Sequence, residues 1–200
     1  MLATEKYEEI KKIVVCFLED YDVKTLPIDV FGLAKKMNVN IVFASKIVES
    51  VKYKNGIDNI LKYPESLVYF DKITNKFIVY IDDINLKFVR QRFSLAHELM
   101  HIILGHTTQN EQNENEAFFG ATYLLAPTSL VLIKHSSIYL LDYEHVANIF
   151  EVSIPEAKII ARYNNNRFSL KKSGEENDYE KIINGLLRKS LEKKFIDICR

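Results

Sequence analysis

The segment AHELMHIILGH, Ala96–His106, contains the feature on which our interpretation of this chain depends. Its apolar residues recur at helical spacing, and the longer stretch LKFVRQRFSLAHELMHIILGH continues that pattern up to Gly105, a residue type that often ends helices. Residues four apart on a helix point the same way, so His97 and His101 share one face about one turn apart. We therefore predict a long helix that presents two imidazoles to a common point.

Glu98 adds a carboxylate next to the two imidazoles. Because successive helical residues are rotated by about 100°, Glu98 stands beside an ion held by the histidines and can accept a proton from water. This H-E-x-x-H pattern is typical of zinc peptidases. An amphipathic core helix that happens to carry histidines is the alternative, but such polar groups are costly to bury unless something pairs them. The pattern therefore predicts His97 and His101 as metal ligands and Glu98 as the catalytic base.

A catalytic zinc site also needs a third protein ligand and an open coordination position. The metzincin pattern would require glycine and histidine where this chain has Leu104 and Thr107, so that arrangement is excluded. His106 is one residue out of that register, and we expect it to cap the end of the helix. The third ligand is therefore expected to be a glutamate on the following helix, as in His₂Glu sites.

The segment NENEAFFGATYLLAP predicts that following helix, and three glutamates in or before it are candidates for the third ligand. Glu111 and Glu114 lie in or before the first turn, where an acidic side chain also stabilises the helix dipole. Glu116 lies deeper and precedes apolar residues, so we predict Glu116 as the third ligand, with Glu114 as the alternative. A His₂Glu set favours Zn²⁺, although ligand type alone leaves iron and manganese open.

Composition limits the class of protein. The 200 residues are 48% hydrophobic and 27% charged, which is typical of a folded protein with a sizeable core. Lys+Arg and Asp+Glu each total 27, so no overall charge attracts the chain to nucleic acid or membranes. The N-terminal segment mixes charges with apolar residues, which argues against a signal peptide or a membrane span and predicts a cytoplasmic location. Two cysteines, Cys16 and Cys199, are too few for a disulfide framework.

Two stretches, RQRFSLAHELMHIILGH and EAFFGATYLLAP, resemble paired motifs of the ImmA/IrrE metallopeptidases. Those motifs are an R-x-x-F-T-x-A-H-E-L-G-H helix and an E-A-(N/D)-x-F-A-x-x-L-L-x-P helix, and the resemblance covers roughly residues 25–165. It implies a gluzincin-like fold in which His97, His101 and Glu116 bind zinc and Glu98 is the catalytic base. It also implies a cytoplasmic, site-specific endopeptidase whose protein substrate is a helix-turn-helix repressor of a mobile element or a stress response.

Three residues depart from the family pattern. Met100 stands where the family usually has glycine, and Gly120 replaces a common phenylalanine. Phe118 replaces a common asparagine or aspartate, so the polar side chain that would orient a ligand is missing from its expected place. None of the three removes a predicted ligand.

Local patterns predict an α+β fold, mostly helical with a small antiparallel β-sheet. We expect a zincin-like metallopeptidase core in residues 1–127 and a helical C-terminal subdomain in residues 128–200. The strands are NVNIVFAS and a hairpin formed by SLVYFD and KFIVYID, with residues 46–64 irregular. Besides the two motif helices, helices are predicted at residues 5–19, from about Pro27 to before Asn38, and at residues 142–150, 154–163 and 178–198.

The segment Glu144–Tyr163 has the pattern of a helix-turn-helix and suggests a competing function. Its second helix is expected to expose Glu156, Lys158 and Arg162, a poor set for contacting DNA because of the acidic residue near its N-terminal end. We therefore favour a helical subdomain beside the active site. The alternatives are a DNA-binding regulator and a non-catalytic metal-binding protein that regulates a transcription factor by binding it.

The sequence does not identify the group that would stabilise an oxyanion. The possible donors are His135, Tyr123, Tyr139, Tyr143 and His145, although each alone is more often structural. The apolar stripe of the last helix is also open to three interpretations, because it can cover the core, pair with a second copy or bind a partner.

Overall fold

A computed structural model describes residues 4–47, 65–127, 142–170 and 177–198. In these residues the chain forms seven α-helices, one short 3₁₀ helix and three strands, which confirms the predicted α+β class. In chain order the elements are α1 (Thr4–Asp20), α2 (Val30–Lys36), β1 (Asn40–Phe43), the 3₁₀ helix (Ala44–Lys46), β2 (Ser66–Asp71), β3 (Lys76–Ile81), α3 (Phe88–Ile103), α4 (Glu111–Leu125), α5 (Tyr143–Phe150), α6 (Ile154–Leu170) and α7 (Asp178–Ile198). Most of the predicted irregular segment 46–64 lies outside the described residues.

The sheet has the strand order β1-β3-β2 and is mixed. β2 and β3 form the predicted antiparallel hairpin, with Ser66 opposite Ile81 and Asp71 opposite Lys76. β1 instead pairs parallel to β3, with Asn40 opposite Ile78, so the prediction of a purely antiparallel sheet is wrong for this strand. The turn sequence between β2 and β3 fixes only their own pairing, whereas β1 joins from the other side through contacts distant in sequence.

The last helix covers the core of its own chain. α7 packs against α1, and its apolar stripe buries Ile183, Leu187 and Leu191. The backbone N–H of Leu26 also donates to the Ser190 hydroxyl at 2.8 Å, which fastens α7 to the loop before α2. The buried residues of this stripe therefore fit the interpretation that it covers the core of the chain. No helix in the described part of the chain is long and apolar enough to cross a membrane.

α3 and α4, the two motif helices, pack against each other at close range. Met100 of α3 is fully buried and lies against Gly120 of α4. A methyl group added at Gly120 would lie 2.6 Å from the Met100 Cε atom, closer than carbon atoms pack. Two departures from the family pattern therefore compensate for each other, because the larger residue on α3 occupies space left by the glycine on α4.

α5 and α6 form the predicted pair of helices after the core motifs. Asp142 caps α5 by accepting from the His145 N–H at 2.9 Å, and Glu151 ends the helix in the left-handed conformation, at φ 50°. α6 extends to Leu170, beyond the predicted end at residue 163. The prediction that α6 exposes Glu156 is wrong, since this residue lies in the first turn of the helix and its side chain is buried.

Candidate metal centre

The two histidines of α3 converge as their spacing predicts. Their Nε2 atoms lie 3.1 Å apart, and His101 is more deeply buried than His97. Burial lowers the pKa of both imidazoles, to about 4 for His101, where the nearby His97 acts in the same direction. Because a neutral imidazole is the form that binds metals, this environment favours binding.

α4 brings a carboxylate to the same point through Glu114. Its Oε2 atom lies 3.2 Å from His97 Nε2, and its Oε1 atom lies 3.5 Å from His101 Nε2. α4 begins at Glu111, where Asn110 caps it by accepting from the Asn113 N–H, two residues before the predicted start. Glu114 therefore lies nearly one full turn inside the helix, on the face that meets α3.

The separations between these donor atoms suit a tetrahedral metal ion. Ligand atoms bound to zinc at about 2.0–2.2 Å and at tetrahedral angles lie roughly 3.3 Å from one another. The observed separations are 3.1, 3.2 and 3.5 Å. Among the described residues, His97, His101 and Glu114 form the one group of three or more His, Cys, Asp or Glu side chains with this convergence. We call these three residues the candidate metal centre.

Glu116, the residue predicted as third ligand, faces away from the histidine pair. Its carboxylate lies 3.4 Å from Lys6 Nζ and accepts a hydrogen bond of 2.9 Å from the Gln112 amide. Burial opposes ionisation of Glu116, but Gln112, Lys6 and His106 together lower its pKa. Residues two apart on a helix are rotated by about 200°, so Glu114 and Glu116 cannot both face α3. The structure therefore places Glu114, the alternative from the sequence, beside the histidines.

Glu98 lies next to the centre and is held by the sheet. Its side chain is buried, and its Oε1 atom accepts a hydrogen bond of 2.7 Å from the Ser66 hydroxyl of β2. Burial raises the pKa of Glu98 to about 7, although the bond from Ser66 acts in the opposite direction. A carboxylate with such a pKa can both accept and return a proton near neutral pH. No local pattern in the sequence predicts the role of Ser66, because its contact with Glu98 depends on how β2 packs against α3.

A cleft of about 750 Å³ opens over the metal centre and Glu98. One wall is apolar, with Val68, Phe93 and Phe118. Arg90 also lines the cleft, where its Nε atom donates to Glu65 at 2.5 Å and its guanidinium lies 5.0 Å from the centre of the Phe93 ring. The cleft thus combines a metal-ligand set, a proton acceptor and an apolar surface.

The predicted oxyanion donors do not line the described part of this cleft. Tyr123 is buried in the core, and neither Tyr143 nor His145 belongs to the cleft wall. His135 and Tyr139 lie outside the described residues. The three candidates that the structure describes therefore lie outside the cleft wall.

Comparison with known proteins agrees with the geometry. The model of a peptidase family, described as IrrE N-terminal-like domain, matches residues 34–162. That range includes α3, α4, the sheet and every residue of the candidate metal centre. A comparison with curated proteins finds no match.

Proposed function

Since the chain belongs to the IrrE N-terminal-like family of metallopeptidases, we propose that it is a zinc-dependent endopeptidase. The observation that carries this proposal is the convergence of His97, His101 and Glu114 beside a buried carboxylate in an open cleft. The neutral nitrogen and carboxylate donors match the His₂Glu ligand type of catalytic zinc sites. This assignment takes Glu114 in place of Glu116 as the third ligand.

Glu98 acts in this proposal as the general base and acid. A zinc ion at the centre supplies Lewis-acid chemistry, which lowers the pKa of water and polarises a peptide carbonyl. Glu98 accepts the proton of the attacking water and returns it to the leaving amine nitrogen. The bond from Ser66 holds the Glu98 carboxylate in place while the proton moves.

The shape of the cleft supports a peptide as the substrate. β2 pairs only with β3 among the described strands, and Ser66, Leu67 and Val68 of β2 line the cleft. An extended peptide can add to such a strand edge through backbone hydrogen bonds, while its side chains contact the apolar wall at Phe93 and Phe118.

As the partner we propose a helix-turn-helix repressor, cleaved at a specific site in the cytoplasm. The support for this step is the family resemblance of the α3 and α4 motifs. A non-catalytic regulator that binds its target through the same cleft is the alternative, because Phe118 leaves His97 without the polar neighbour typical of the family.

The test measures metal content and cleavage of a repressor encoded beside this gene. We expect one zinc per chain and a single cleavage site found by mass spectrometry. Glu98→Gln should retain zinc and lower the cleavage rate by roughly 10²–10⁴-fold, the usual contribution of a general base. Glu114→Gln should weaken zinc binding, whereas Glu111→Gln, exposed in the first turn of the same helix, should change neither property.

Two results would contradict the proposal. Purified protein that binds no zinc, even when zinc is supplied, would remove the metal chemistry. A Glu98→Gln variant that still inactivates the repressor would favour the non-catalytic alternative.

A further inference from the structure

Besides His97, a further histidine, His106, lies against His101 just after the end of α3. Gly105 adopts the left-handed conformation at φ 68°, and its N–H donates to the Ile102 carbonyl at 3.1 Å. The His106 N–H then donates to the His101 carbonyl at 2.9 Å. This pair of bonds is the Schellman arrangement, so the His106 backbone caps α3, while its imidazole contacts His101 and Glu116. In that arrangement the residue after the glycine lies over the residue five positions earlier, so the two imidazoles meet.

The contact between the two imidazoles continues into the protein as a chain of polar side chains. His106 Nδ1 lies 3.0 Å from His101 Nδ1, and His106 Nε2 lies 3.4 Å from Glu116 Oε2. Glu116 in turn lies 3.4 Å from Lys6 Nζ of α1. The side chains of His106 and Glu116 are only 8% and 5% exposed, so water competes little for these contacts.

The direction of the hydrogen bonds between His101, His106 and Glu116 follows from the chemistry of the Glu116 carboxylate. An ionised carboxylate only accepts, so Glu116 requires His106 Nε2 to be the donor. The Nδ1 atom of a neutral His106 then has a free lone pair and accepts from His101 Nδ1–H. His101 is left with its lone pair on Nε2, the atom that faces His97 and Glu114.

We propose that His106 and Glu116 are positioning residues that hold His101 in the tautomer and orientation required to bind the metal. This inference rests on the proposed function, since it concerns the same centre. It also assigns a role to Glu116, which is buried without being a member of the metal-ligand group. Partners of this kind typically contribute 10–100-fold to metal affinity.

The first experiment measures the zinc dissociation constant by competition with a chromophoric chelator. His106→Phe keeps a planar ring and removes both nitrogens, so we expect zinc to bind about 10–100-fold more weakly. Glu116→Gln keeps the shape but can donate as well as accept, and a loss of up to about 10-fold is expected. His145→Phe is the matched control, because His145 is exposed and, among the residues that the structure describes, is hydrogen-bonded only to Asp142 of its own helix cap.

The second experiment observes the His101 tautomer directly in the metal-free protein. Ring ¹⁵N chemical shifts should show the proton on Nδ1 of His101 in the wild type and in His145→Phe. In His106→Phe, both tautomers should become populated. His106→Asn offers a side-chain oxygen as acceptor and should recover part of the Nδ1–H population and part of the zinc affinity.

The two experiments separate this inference from the proposed function. If wild type and His106→Phe bind zinc equally well, the positioning role is excluded, while the peptidase proposal stands. A wild-type His101 protonated on Nε2 would also overturn it. If the wild type binds no zinc, the proposed function fails, and the ¹⁵N measurement still decides whether the hydrogen-bonded chain exists. Thermal unfolding of each metal-free variant checks the fold, and Glu116→Gln provides the test if His106→Phe does not fold.

Discussion

At the scale of single residues, the two histidines of the metal centre differ in the hydrogen-bond partners of their Nδ1 atoms. His101 Nδ1 meets His106, whereas His97 Nδ1 is buried and has no hydrogen-bond partner among the described residues. Phe118 lies one turn beyond Glu114 on α4, and its ring packs edge-on against Phe93, the residue one turn before His97. Position 118, where the family commonly has asparagine or aspartate, therefore carries an apolar ring that packs against Phe93.

A polar side chain at position 118 is predicted to strengthen metal binding. In Phe118→Asn the amide oxygen can accept from His97 Nδ1–H, so we expect zinc affinity to rise by up to about 10-fold. Phe118→Leu keeps the position apolar and is the control, with affinity expected to equal the wild type. The measurement is chelator competition, and equal affinities for the Asn and Leu variants would show that His97 gains nothing from a polar neighbour.

The sequence predicts those parts of the metal centre whose contacts are local along the chain. His97, Glu98 and His101 are found correctly as neighbours because one helix fixes their relative directions. The choice between Glu114 and Glu116 depends on where α4 begins and how it is rotated against α3, and both properties involve other parts of the chain. Burial favoured Glu116 in the sequence argument, but the structure explains that burial by Lys6 and His106.

At the scale of elements, the α3–α4 contact is predicted to depend on the pair Met100 and Gly120. Gly120→Ala should destabilise the wild type by about 1–2 kcal/mol, because crowding against Met100 exceeds the gain in helix propensity. In a Met100→Ala background the space is free, so the same substitution should be neutral or stabilising by up to about 1 kcal/mol. Denaturant unfolding of the four proteins gives the coupling energy.

Gly185→Ala in α7 is the control for this cycle. Among the described residues, no atom outside the local backbone of α7 and the neighbours of Gly185 lies within 4 Å of the methyl group that this substitution adds, so only the gain in helix propensity remains. Additive effects of the Met100 and Gly120 substitutions would show that the two departures from the family pattern are independent.

At the scale of the whole molecule, Arg92 of α3 connects parts of the chain that are distant in sequence. Its guanidinium donates to the backbone carbonyls of Ile28 and Phe150 and, at 3.0 Å, to the Glu151 carboxylate. These contacts join the predicted core to the helices after it. Local sequence patterns cannot predict such a contact. For the same reason they do not predict the parallel pairing of β1 with β3. The proposed division into residues 1–127 and 128–200 remains a prediction.

The buried carboxylate of Glu156 beside this connection is predicted to make stability depend on pH. Burial raises the pKa of Glu156 to about 7 despite attraction by Arg90 and Arg92, whereas the unfolded chain ionises near the ordinary value of 4.5. Since the folded state holds the proton more tightly, the stabilising effect is complete below about pH 4.5. It is lost as the pH rises towards 7, by an amount on the order of 3 kcal/mol.

Glu156→Gln removes this titration, so unfolding free energies of wild type and variant should diverge in favour of the variant between pH 5 and pH 8. The buried Glu98 also titrates but is present in both proteins and cancels in the comparison, while Glu144→Gln, at an exposed glutamate, provides the control. A difference between wild type and Glu156→Gln that does not change with pH would mean that Glu156 is equally ionised in the folded and unfolded states.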